Sequence, residues 1–203
     1  MYSGSHILAS GALALISSKR LDIQFVKLAP VMIATNLLDT DHLKYFYLDD
    51  GTANSLVMHP AHIYAGVLFF LIFFVGLIYK KLQYWSFAVS GAVALHLTGD
   101  AISFWLNYNI LLLGMIDALL LIFIAISAKR INTGLPFIPL MVFFATAEIL
   151  SSAVQAYLAF VLKLVPQENI IVFIVSPVIF LLTAITFWLM FKKYRVKVKT
   201  ILN

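Results

Sequence analysis

Two short stretches hold the densest set of metal-binding residue types in the chain: Asp39-Thr40-Asp41-His42 and His59-Pro60-Ala61-His62. Carboxylate oxygens are hard donors and imidazole nitrogens borderline ones, and together they suit Zn2+ or Mn2+. The five histidines stand at 6, 42, 59, 62 and 96. Asp100 follows His96 by four residues, so on a helix the two share a face and can ligate one ion. His59 and His62, three apart, can do the same where a helix begins early enough. With no cysteine in the chain, disulfides, thiolate nucleophiles and thiolate metal sites are excluded, and the redox compartment stays open.

The elements that must position these donors are apolar. The 203 residues are 63% hydrophobic and only 11% charged, with a mean hydropathy of +0.99. A soluble domain averages about 45–50% apolar and about 25% charged, so the composition predicts an integral membrane protein. The net charge of +5 belongs to loops and a basic tail, which argues against nucleic-acid binding. The N-terminus lacks the basic start of a signal peptide, so the first apolar segment is expected to be retained.

Seven apolar segments are predicted, at about 5–18, 23–38, 60–79, 84–106, 110–128, 135–164 and 170–191. The first two fall short of the roughly 20 apolar residues that a straight span needs. The second also contains Lys27 and Pro30, so a kink or partial span is expected there, and the pair can form a short hairpin shielded by the other helices. The expected fold is a single all-α domain over 1–203, a polytopic membrane bundle. Residues 1–106 carry the motifs, and 107–203 supply supporting helices and the basic tail.

Orientation follows from the cations. Lys19/Arg20, Lys80/Lys81, Lys129/Arg130 and the C-terminal tail fall on one side of seven alternating spans, against Lys44 and Lys163 on the other. The positive-inside rule then places the N-terminus outside and the C-terminus inside, in a plasma or inner membrane. On that topology every histidine reaches the outer leaflet. Asp100 sits about 9 Å below the outer end of its helix, taking about 1.5 Å per residue. An aspartate at mid-span costs on the order of 2.5–3.5 kcal/mol on insertion scales and usually marks function. Asp117 and Glu148 are further intramembrane acids, expected to pair with a hydroxyl or backbone group or to support the site from outside the ligand shell. Trp85 and Trp105 suit interface anchors.

An early His, then Leu37-Leu38-Asp39-Thr40-Asp41-His42, then a His pair opening an apolar helix, then Leu95-His96-Leu97-Thr98-Gly99-Asp100 resembles the predicted membrane-bound metal-dependent hydrolases. Their motifs are an N-terminal His, a (Pro)-Asp-x-Asp-His segment, a His-Arg-Gly-x-Thr-His-Ser segment and a His-x-x-x-Asp helix. The resemblance covers about the first half of the chain. Leu38 stands where the family prefers Pro, and His59-Pro60-Ala61-His62 lacks the Arg, Thr and Ser of the third motif. The resemblance implies metal-assisted hydrolysis at the outer membrane–water interface. His6, Asp41, His59, His62, His96 and Asp100 are the candidate ligands of one or two divalent ions, Zn or Mn. Asp39 and His42 are the candidate catalytic groups, orienting ligands or acting as general base. A site opening sideways to acyl chains suits a lipid or lipid-linked ester or phosphoester. The same residue types also fit a metal-ion or proton transporter, which needs a polar path to the inner face, and a non-catalytic scaffold, which needs no metal.

Overall fold

The computed structural model describes residues 3–21, 23–41, 60–106, 109–131, 133–164, 170–192 and 194. All regular structure among them is helical, with no strand. Helices α1 (Ser3–Leu21) and α2 (Phe25–Ala34) are followed by a 3-10 helix, Thr35–Asp41. Then come α3 (Pro60–Ile78), α4 (Gln83–Trp105), α5 (Ile110–Arg130), α6 (Phe137–Leu164) and α7 (Ile170–Phe191). The predicted segments and the helices agree to within a few residues, because apolar runs punctuated by Pro, Gly and paired cations mark helix ends clearly.

Helix α1 lies inside the molecule, packed against α2, α4, α5, α6 and α7. Its small residues make that possible. Ala9, Ala12 and Ala14 are buried beside Ile7, Leu8 and Leu15, and at Gly11 an added Cβ would come within 2.4 Å of the Phe144 ring of α6. Helix α2 packs on α1 and α7, burying Phe25, Leu28, Ala29, Met32 and Ile33. The expected shielded hairpin is therefore present: the two segments with the shortest apolar runs are the ones their neighbours cover. Phe143, Phe144, Phe187 and Phe191 form an aromatic cluster between α6 and α7, with Phe25 edge-on to Phe187. Such edge-to-face pairs add about 0.5–1.5 kcal/mol each beyond area burial.

The outer helices are the opposite. α3 packs chiefly on α4 and exposes Ile63, Val67, Phe70, Leu71, Phe74 and Ile78. Within α5, Leu111–Arg130 contains an 18-residue window with a mean hydropathy of 2.6 and is long and apolar enough to cross a membrane; it alone passes that test among the described residues. Asn109 caps α5, its side-chain oxygen accepting from the Leu111 and Leu112 amides, as N-cap residues do.

Candidate metal centre

Two α-helices and the 3-10 helix bring the site together. His6 stands in the first turns of α1, and His96 and Asp100 lie one turn apart in the second half of α4. Asn36 lies in the 3-10 helix that ends α2. Asp100 reaches both imidazoles: Oδ1 is 3.0 Å from His6 Nε2 and Oδ2 is 3.2 Å from His96 Nε2. The two rings stack with centroids 4.4 Å apart and planes at 21°. On the far side of His96, Nδ1 lies 3.1 Å from Asn36 Oδ1. Asn36 in turn donates through Nδ2 to Ser10 Oγ and to the Ile33 carbonyl, each at 3.0 Å. Ser10 and His6 are one turn apart on α1, so the network closes on itself through Ser10, Asn36, His96, Asp100 and His6.

The reason for this local folding is visible at the end of α2. The last carbonyls of a helix have no intrahelical partner. Thr35 Oγ1 takes up that of Met32 at 2.6 Å, and the Asn36 amide takes up that of Ile33. Capping thus turns Asn36 inward, where it is 1% exposed. His6 and His96 are 2% and 1% exposed, and Phe180 of α7 covers His6 edge-on at 6.3 Å. Little water competes for these groups.

One ligand atom each from His6, His96 and Asp100 lies within 4.8 Å of the others. Two imidazole nitrogens and a carboxylate are the donors that a zinc-type ion takes, and three protein ligands leave coordination open for water or substrate. The donor set therefore fits a divalent ion.

Of the expected ligands, His6, His96 and Asp100 are brought together. Asp39 and Asp41 lie on the 3-10 helix, which packs against α3, α4 and α7, and His62 falls in the first turn of α3. The side chains of these three, and the whole of His42 and His59, are outside the described residues. Comparison with protein-family models, curated proteins and solved structures finds no match for the chain.

Asp117 pairs with a hydroxyl as anticipated: Ser5 Oγ donates to its Oδ2 at 2.8 Å, and Glu148 of α6 is close enough to interact with it electrostatically. Ser5 precedes His6, so this bond holds the first turns of α1 against α5. Sequence reasoning missed Asn36 and Ser10. A polar amide at the end of an apolar run, three residues before Asp39, was the available signal for the first; a serine in a small-residue helix gives none.

Proposed function

We propose that the chain is a polytopic membrane protein and a metal-dependent hydrolase, acting on a lipid or lipid-linked ester or phosphoester at the outer-leaflet interface. The observation that carries the reading is the meeting of His6 with the His96/Asp100 pair, His6 and Asp100 being 94 residues apart in sequence, inside a buried polar network. Several features support the membrane setting. Helices α3 to α7 have 19, 23, 21, 28 and 22 residues, near the roughly 20 that a bilayer core of about 30 Å requires. Only 17% of the most apolar window of α5 is buried, whereas the core helix of a soluble protein is covered by its neighbours. The faces of α3 and α5 present large apolar side chains outward, as lipid contact demands.

The paired cations at helix ends lie away from the site. Lys19 and Arg20 end α1, about 20 Å along the helix from His6 at 1.5 Å per residue. Lys80 and Lys81 precede α4, and Lys129 and Arg130 end α5. By the positive-inside rule that end is cytoplasmic and the site is extracytoplasmic, with the N-terminus out and the C-terminus in.

In this reading His6, His96 and Asp100 hold a Zn or Mn ion, and Asp41, His59 and His62 supply further donors, enough for a second ion. The ion would contribute Lewis acidity and bring the pKa of a bound water toward neutrality. Asp39 or His42 orients the ligands or takes the proton from that water. A transport reading needs polar groups continuing inward. Beyond Ser10, the buried side chains of α1 are Ala12, Ala14 and Leu15. The polar groups that α4 buries toward its other end are only the uncharged Ser90 and Ser86, Ser90 donating to the Phe87 carbonyl, which is less than the titratable groups of an ion relay.

Elemental analysis of the detergent-purified protein, joined to a lipid-hydrolysis screen, tests the proposal. Stoichiometric zinc or manganese is expected in the wild type and none in His96→Ala. Chelation should lower thermal stability, since an ion at 100 times its Kd stabilises by about 2.7 kcal/mol. Metal retained at full stoichiometry by His96→Ala would refute the ligand assignment. A wild type that neither contains nor is stabilised by metal would be a scaffold.

A further inference from the structure

We infer that Asn36 is a positioning residue, fixing His96 in the tautomer whose Nε2 lone pair faces Asp100 and His6. Donor and acceptor roles fix the hydrogen on Nδ1. The Ile33 carbonyl can only accept, so the amide atom 3.0 Å from it is the nitrogen of Asn36. The other amide atom, 3.1 Å from His96 Nδ1, is therefore the oxygen. An amide oxygen also only accepts, so His96 Nδ1 carries the hydrogen. A metal-binding imidazole is neutral and has one N–H, which leaves the lone pair on Nε2. That atom is 3.2 Å from Asp100 Oδ2, and the other oxygen of Asp100 is 3.0 Å from His6 Nε2.

The alternative tautomer is penalised twice. It would set the Nδ1 lone pair against the Asn36 oxygen. Turning the amide over would relieve that clash only by setting the oxygen against the Ile33 carbonyl. Asn36 and His96 are both 1% exposed, so solvent offers little compensation, and a frustrated buried pair of this kind costs about 1–3 kcal/mol. The favoured tautomer has a consequence at the other end of the ring. A lone pair on Nε2 beside a carboxylate oxygen repels it unless a cation is shared between them. Asn36 thus aims His96 at the place where an ion would bind, the part played by carbonyl and carboxylate partners of metal-bound histidines. The hydrogen on Nδ1 stands on geometry alone; the lone pair on Nε2 belongs to the neutral ring that a metal ligand is, and with its effect on metal binding it rests on the function proposed above.

Nitrogen-15 NMR of the imidazoles in full-length, metal-free protein reads the tautomer, with His96 assigned by its absence in His96→Ala. The wild type should show His96 protonated at Nδ1, Asn36→Asp should keep that form, and Asn36→Leu should lose it. Competition titration with Zn2+ alone should show affinity falling about 10–100-fold in Asn36→Leu and staying far closer to wild type in Asn36→Asp, which retains an acceptor. Both variants lose the donor bonds to Ser10 and Ile33, so their unfolding temperatures should fall together while their affinities part. The inference is overturned if Asn36→Leu keeps the wild-type tautomer, or if the two variants weaken zinc binding alike. A wild type that binds no Zn2+ would sink the metal reading, and the NMR comparison would still decide the role of Asn36.

Discussion

Asp100 is the residue on which the polar network turns, because each of its oxygens serves a different imidazole. Its side chain is 11% exposed and those of His6 and His96 are 2% and 0%, so water cannot replace it. Leaving a buried hydrogen-bonding group without its partner costs about 1–3 kcal/mol, because that group stays desolvated. Metal-free Asp100→Ala is expected to lose stability on that scale in a denaturation series, through the lost His6 hydrogen bond. A melting curve unchanged from wild type would mean that the three groups do not depend on one another. His96 and Asp100 were readable as a pair from their spacing alone. The convergence of His6 with them was only an expectation of topology, since nothing local to Ser5-His6-Ile7 says what it will meet.

Among the helices, α1 shows most clearly how sequence sets packing. Gly11 allows Phe144 to lie against the α1 backbone; a Cβ there would stand 2.4 and 2.5 Å from two ring carbons. Phe144 is fully buried and held by Phe143 and Phe187, so it has nowhere to swing. Gly11→Ala should therefore destabilise by about 1–3 kcal/mol, the usual cost of overpacking. Gly66 of α3 has nothing within 4 Å of the same added atom. There alanine should stabilise by up to about 1 kcal/mol through helix propensity. Measured side by side by unfolding in detergent, the two substitutions should shift stability in opposite directions. Equal effects would show that α1 and α6 do not pack as described.

At the scale of the molecule, the topology makes a claim that chemistry can check. The chain has no cysteine, so one introduced thiol is unique. Lys81, exposed in the turn before α4, and Trp105, 82% exposed at its end, bracket a single proposed span. Lys81→Cys should react with a membrane-impermeant maleimide only in inverted vesicles, and Trp105→Cys only in intact cells. Labelling of both from one side would exclude α4 as a span and, with it, the placement of the site at the outer leaflet.

The amino-acid sequence determined the helical class, the number and approximate ends of the apolar segments, and the His96/Asp100 pair, because each depends on composition or on spacing along one element. The tertiary structure decided which donors meet and what steadies them. It set His6 against Asp100 across 94 residues, put the least apolar-looking helix at the centre, and turned Asn36 onto His96. Those outcomes depend on how helices cross. Crossing is settled by close contacts such as that of Gly11 with Phe144 and by the side-chain capping that turns Asn36 inward at the end of α2, neither of which a linear pattern displays.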